Sequence, residues 1–465
     1  MISEDILFAP VHELSKLIKR KKVSPLALTE AYLARIEKLS PKLNAFVTVT
    51  GDLALKEARQ AEGEINAGLY RGPLHGIPYG AKDLFAVKGY PTTWGARPFA
   101  DQIIDEDATA IRKLRDAGAI LLGKCAMSEL AGGPPTATAT GACRTPWNTD
   151  RWSGGSSSGS GAAVAAGLVA FALGTETWGS IMTPSSFCGV TGFRPTFGRI
   201  SRAGAMALSW TMDKVGPMAR TAMDCATIFN IVKGKDPLDP VTVDAPFKVS
   251  FTKVRERVTS FKVGFIREDY EKWGEPDVAI AFAGALDTFR GLGIVAEEVK
   301  LPDHPYESVA GTIIAAEESS AFEPLVRSGK IGGIIDPDRR GELLGGQLIT
   351  AVDYLRCQRI RTKIAADFAE IFKKCDILLG SSTLKCAPTI DADMNSIFGG
   401  GNSIEAAENL AGLPAVSVPC GFNKKKLPIG LKIIGRTFAE ADALSMAHLY
   451  QTVTDWHEKR PKLWR

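Results

Sequence analysis

After Ser24-Pro25, apolar side chains recur at Leu28, Tyr32, Ile36 and Leu39, tracing one face of a helix that Ser24 caps, Pro25 starts and Ser40-Pro41 interrupts. Residues 45–49 predict a short strand, and residues 51–66 a second helix. The longest apolar run, residues 162–173, is well short of the roughly 20 residues needed to cross a bilayer, so it predicts a buried helix. Residues 262–300 read as strand, helix, strand, a βαβ unit that requires parallel sheet. Further strands are expected at 376–379 and 415–419, and a closing helix over 439–453. Between 305 and 375, helical patterning is interrupted over 329–346, where Gly and charged residues alternate. This predicts a mobile loop near the surface that borders a pocket as a lid.

Composition narrows the class. A chain of 465 residues with 45% hydrophobic and 23% charged positions is globular and not disordered, collagenous or coiled-coil. Fifty-six Lys and Arg against 52 Asp and Glu leave +4, which gives no electrostatic case for a nucleic-acid partner. The start, Met1-Ile2-Ser3-Glu4-Asp5, lacks the basic and apolar regions of a secretory signal, so a cytoplasmic protein is expected. Eight cysteines show no CxxC pair and no cluster with His at metal spacing, so they are expected to be reduced and mostly buried, with no metal site.

From residue 70 to 230, Gly, Pro, Ser and Thr gather between short apolar runs, as in loops that carry chemistry on a rigid scaffold. The segment Ser153-Gly154-Gly155-Ser156-Ser157-Ser158-Gly159-Ser160-Gly161 runs straight into Ala162-Ala163-Val164. A flexible linker fits this poorly, and a phosphate-binding loop lacks its Gly-Lys-Ser/Thr ending. A catalytic loop with hydroxyls at a helix start is the third reading. Further on, Thr177-Trp178-Gly179-Ser180 could project a hydroxyl while backbone N–H groups converge on one point. Of five histidines, only His75 lies near this chemistry, and it reads as a structural residue. A serine nucleophile without His needs another base, and a desolvated Lys such as Lys82, within Gly76-Ile77-Pro78-Tyr79-Gly80-Ala81-Lys82-Asp83, can serve.

Together these pieces resemble the amidase signature family. Gly76 to Asp83 meets Gly-x-Pro-x-x-x-Lys-Asp, Gly154 to Ser157 meets Gly-Gly-Ser-Ser, and Gly179 to Ile181 meets Gly-Ser-Ile. Residues 187–196, 216–220 and 409–421 are similar to its flanking blocks. The resemblance implies a single α/β domain over residues 1–465, with a central mixed sheet sandwiched between helices. Its core signature would span about 70–230, with a variable substrate-side region over about 300–400. It also implies a Ser–cis-Ser–Lys triad of Ser180, Ser156 and Lys82, an oxyanion hole from the N–H groups of Thr177, Trp178, Gly179 and Ser180, and no cofactor. Met127, Ser128, Trp178 and Met182 are expected to contact substrate. Where the family has Asp-Thr-Gly-Gly-Ser-Ile-Arg, this chain has Glu176-Thr177-Trp178-Gly179-Ser180-Ile181-Met182, which makes the region more apolar. The implied function is hydrolysis of amides, with aryl amides, carbamates (urethanes) and esters as candidate substrates. The alternative is the glutaminase subunit of a tRNA-dependent amidotransferase. The leading expectation is a monomer or homodimer acting on a small-molecule amide or carbamate, without nucleic acid or membrane.

Overall fold

The computed structural model describes residues 2–252, 254–257, 260–394 and 404–462. Its strands are β1 (Phe46–Val49), β2 (Pro78–Lys82), β3 (Ile120–Cys125), β4 (Arg144–Thr145), β5 (Asn148–Trp152), β6 (Phe171–Glu176), β7 (Thr191–Arg194), β8 (Lys214–Ala219), β9 (Val263–Phe265), β10 (Ala296–Glu298), β11 (Ile377–Ser381), β12 (Ala415–Phe422) and β13 (Pro428–Gly435). Eleven of them form one sheet in the order β1-β3-β2-β6-β8-β7-β12-β13-β11-β9-β10, while β4 and β5 pair separately. The sheet is mixed: β2 runs parallel to β3 and β6, and β9 to β10 and β11, whereas β6–β8, β7–β12 and β12–β13 are antiparallel. Every residue of β2, β3, β8 and β13 is buried, as helices covering the sheet require. Ser158–Ala165 packs on β2 and β6, Ala222–Val232 on β7 and β8, and Glu440–Val453 on β12 and β13. The expected single-domain α/β fold with a helix-flanked mixed sheet is the observed one.

The βαβ unit is present as β9, the helix Pro276–Gly291 and β10. The first long helix, Pro25–Leu43, is capped as expected by Ser24, whose side chain accepts from the Ala27 N–H at 3.0 Å. It continues through Pro41, because so near its end the missing N–H costs a single bond while Leu39 and Leu43 are buried. Asn44, in the left-handed conformation, closes it by donating to the Ser40 carbonyl.

Two further expectations are corrected. The apolar run 162–173 is the end of one element and the start of another. The helix stops at Ala165, Gly167 turns at φ +66°, and the chain enters β6 at Phe171. A strand buried on both faces is as uniformly apolar as a core helix, so periodicity does not separate them. Segment 329–346 is helical, comprising the turn Lys330–Gly333 and the helix Pro337–Gly345 capped by the Asp336 side chain. It is pinned to the body by Arg339, 2.6 Å from Glu318, and by the Ile335 and Asp336 N–H groups, which donate to the Glu129 carboxylate.

Candidate active site

The parallel neighbours β2 and β6 deliver the chemistry from their C-terminal ends, where open α/β sheets gather ligands. Lys82 is the last residue of β2 and is wholly buried. Its Nζ donates to Ser156 Oγ at 2.7 Å and to Thr175 Oγ1 of β6 at 2.9 Å, and Ser156 Oγ donates to Ser180 Oγ at 3.0 Å. Asp83, one residue further, turns away and meets Lys124 of β3 at 2.8 Å. Lys82 is therefore left with hydroxyl partners only. Burial pushes its ammonium down to about 7, opposed only by the more distant Asp213 and Glu176.

Ser156 sits before the helix Ser158–Ala165, and the Gly155–Ser156 peptide is cis. Gly155 leaves room that no side chain could share: a Cβ there would lie 2.6 Å from both Ser128 Oγ and Trp152 Cζ2. Ser180 follows β6 in a loop tied down by Glu176, whose Oε2 accepts from the Ile181 and Met182 N–H groups at 2.8 and 3.0 Å. Burial works against that carboxylate, yet Arg194 and Lys214 outweigh it and hold its pKa at about 2. Thr177 Oγ1 donates to Asp213 at 2.5 Å. The positive φ of this turn, +80°, falls on Gly179, and Trp178 is spared it.

A cavity of about 540 Å³ opens over Ser156 and Ser180. Of the residues expected to touch substrate, Ser128 and Trp178 line it, while Met127 and Met182 are packed into the core and do not. No residue of 329–346 lines it either, so that segment is no lid among the described residues. Residues not anticipated complete the wall: Trp152, Phe187 and Trp273 are aromatic, Ser381 ends β11 with Ser382 to Lys385 after it, and Glu405 and Lys432 bring charge. Thr175 and Glu176 were also missed, although both lie in an apolar strand where a polar residue asks for a reason. None of the five histidines reaches the cavity. His75 is buried, and its Nδ1 accepts the Arg71 N–H at 3.1 Å. All eight cysteines are unpaired, and only Cys357 is more than marginally exposed. Among the described residues no acidic, Cys or His group is arranged to hold a metal ion, and no helix is long and apolar enough to cross a membrane.

The sequence profile described as Amidase matches residues 27–444. The chain belongs to the Amidase family. A family of C–N hydrolases accords with a serine hydroxyl facing a cavity. Among curated relatives, the A subunit of the Glutamyl-tRNA(Gln) amidotransferase of Moorella thermoacetica is 36% identical over 488 residues, covering 99% of each chain. Among solved structures, a chain from a vestigial protein complex tied to the origins of an s-triazine catabolic enzyme superposes with TM-score 0.88 at 29% identity, over 98% of this chain and 100% of that one. The native peptide amidase of Stenotrophomonas maltophilia gives TM-score 0.86 at 29% identity, over 98% and 99%.

These relatives overturn the expectation of a monomer or homodimer dealing with a small molecule and no nucleic acid. A match over 99% of each chain to a protein named as one subunit of a Glutamyl-tRNA(Gln) amidotransferase stands against that expectation. The inference from net charge fails for a physical reason. The balance of +4 reports on phosphates this chain would itself touch, and one member of an assembly can leave that contact to other chains.

Proposed function

We propose that this amidase acts as the amide-hydrolysing component of an amidotransferase-type assembly, releasing ammonia from the side-chain carboxamide of glutamine. The end-to-end match to relatives that are themselves amidotransferase components carries this reading, and the buried Lys82–Ser156–Ser180 chain supplies its chemistry. With Lys82 neutral the contacts reverse: Ser180 donates to Ser156, and Ser156 to Lys82. As Ser180 Oγ attacks the carbonyl carbon, its proton passes to Ser156 and that of Ser156 to Lys82. In this reading the N–H groups of Thr177, Trp178, Gly179 and Ser180 receive the developing oxyanion. On collapse, the proton returns through Ser156 to the leaving nitrogen, the C–N bond breaks, and an acyl-Ser180 ester remains. Water activated by the same relay clears it. In this reading residues 70–230 carry the chemistry of the single domain, and the 300–400 region shapes the substrate side through Ser381 to Lys385 and Met394.

A second reading rests on the cavity itself. Trp152, Trp178, Phe187 and Trp273 give it an aromatic wall. That wall favours a bulky apolar amide or aryl carbamate as substrate, a carbamate releasing carbon dioxide after deacylation. Ammonia release from glutamine, measured for the purified chain and for chain co-purified with bound proteins, is to be compared with hydrolysis of acyl nitroanilides and aryl carbamates. Glutamine turnover that rises with a co-purifying partner upholds the first reading. Nitroanilide or carbamate turnover without glutaminase activity replaces it by the second.

A further inference from the structure

The turn that carries Ser180 is held at both ends. At its far end Glu176 accepts from the Ile181 and Met182 N–H groups. Glu176 is fixed in turn by a charge cluster buried beneath the turn, in which Arg194 meets Glu176 at 2.5 Å and Glu408 at 3.3 Å, and Lys432 meets Glu408 at 2.8 Å. At the near end the hold comes from β8. This strand runs antiparallel to β6 with Lys214 opposite Glu176, so the next residues outward are Thr177 and Asp213. Their side chains meet: Thr177 Oγ1 donates to Asp213 Oδ1 at 2.5 Å, while Asp213 Oδ2 accepts the Leu208 and Ser209 N–H groups at 2.8 and 3.0 Å. Lys214 Nζ donates to the Thr177 carbonyl at 3.3 Å and also to the Met212 carbonyl. Thr177, Asp213 and Lys214 are all buried.

This double hold fixes a peptide plane. The Thr177–Trp178 bond is trans, so a carbonyl drawn to Lys214 turns the Trp178 N–H the opposite way. Asp213 and Lys214 line a separate cavity of about 200 Å³ behind the turn, whereas Trp178 and Ser180 line the larger one. A donor fixed before charge develops costs no reorganisation when it does.

Asp213 also carries charge. After burial, its carboxylate is the largest influence on Lys82, ahead of Glu176. Of the other charged groups around it, Glu176 is paired with Arg194, Glu318 with Arg339 and Asp239 with Arg202. Glu317 accepts from the hydroxyls of Ser209, Thr211 and Tyr354, and Arg361 donates to Thr211. Burial lifts the Asp213 carboxyl, and the donors from Thr177, Leu208 and Ser209, with Lys214 beside it, oppose that lift.

We infer that Asp213 is a positioning residue for the reaction at Ser180, clamping the Thr177 hydroxyl so that the turn presents its N–H groups to the oxyanion. This rests on the amide-hydrolase reading with Ser180 as nucleophile and adds to it the residue that sets the turn. The charge gives the role a signature that a merely structural residue lacks. A carboxylate near Lys82 favours its ammonium form, so removing it moves the loss of that proton to lower pH.

Labelling with a fluorophosphonate tests this without a known substrate. Ser180 Oγ attacks phosphorus, fluoride leaves, and the serine proton passes through Ser156 to Lys82, so the rate reads nucleophile, turn and base together. In the parent the rate is expected to rise through about pH 7 to a plateau, and Ser180→Ala is expected to abolish it. Asp213→Asn is expected to lower the plateau by about tenfold or more and to move the midpoint to lower pH. Thr177→Val, which keeps the carboxylate, is expected to lower the plateau by a similar factor with the midpoint in place, and Thr177→Ser to restore most of the rate. The double variant Thr177→Val, Asp213→Asn is expected to lose no more than Asp213→Asn alone, because the two act as one unit. A parent-like plateau and midpoint in Asp213→Asn with an unchanged melting transition, or losses that multiply in the double variant, overturns the inference. Where Asp213→Asn does not fold, a Thr177→Val protein labelled at the parent rate overturns it equally. A parent that is not labelled at Ser180 removes the nucleophile and the inference with it. Labelling without ammonia release from glutamine or nitroaniline release from acyl nitroanilides removes the amide-hydrolase reading and leaves the role of Asp213 at Ser180 standing.

Discussion

The hydroxyl cluster behind Ser180 and the charge cluster beneath its loop each bury a lysine completely, and the two lysines are treated in opposite ways. Lys82 meets only Ser156 and Thr175, and burial brings it down to about 7. Burial also works against the charge of Lys432, but Glu408 and Glu405 outweigh it and raise its pKa above the ordinary lysine value. The depth is the same and the neighbours differ. Hydroxyl neighbours leave desolvation free to lower one lysine, and carboxylate neighbours let the other keep its charge.

That contrast is open to attack in order of expected effect. Ser180→Ala, at the end of the hydroxyl relay, is expected to lower amide hydrolysis by at least roughly a thousandfold with the fold intact, checked by ammonia release and circular dichroism. Lys82→Arg keeps the positive charge but cannot give up a proton, and a loss of about a hundredfold or more is expected. Activity near that of the parent would remove the proton-acceptor role from Lys82. In the charge cluster, Arg194→Met leaves Glu176 buried without its main partner and takes one of two cations from Glu408, and a stability loss of about 3–5 kcal/mol is expected in urea unfolding. The smallest effect is Thr175→Val, which takes one hydroxyl from Lys82 and is expected to cost about tenfold in rate.

The pH dependence sharpens the same contrast. Lys82 accepts a proton only when neutral, so the acylation rate is expected to rise through about pH 7 and level off above it. Stability follows the same sign. Below pH 7 the folded protein bears the full cost of a buried ammonium that the unfolded chain holds in water. Between about 7 and the ordinary lysine range of about 10, only the unfolded chain stays protonated, so stability rises with pH. Lys82→Met is therefore expected to raise the melting temperature at pH 7, by an amount that shrinks toward pH 10.

The relay was legible because its residues lie in local patterns. Lys82 sits at the end of a Gly- and Pro-shaped strand, and Ser156 and Ser180 sit in turns whose Gly and Ser content stands out along the chain. Met182 shows where such reading stops. Two residues from Ser180, it reads as a substrate contact, but the helix Met182–Cys188 carries it into the core. Glu405 shows the reverse, for nothing in its neighbours along the chain marks it. Its place in the site comes from β13, which brings Lys432 beside Glu408, and from the loop that lays Gly179 against its carboxyl.

Turn chemistry and periodicity act over a few residues, so most of the elements, the parallel βαβ unit and the Gly-rich settings of Lys82, Ser156 and Ser180 could be read along the chain, while the mixed sheet was implied only by the family resemblance. Tertiary contacts set how the pKa of each buried lysine is shifted and which expected side chains reach the cavity. Those outcomes depend on distances of about 3 Å between residues far apart in the chain, and desolvation and Coulomb energies are set by such distances.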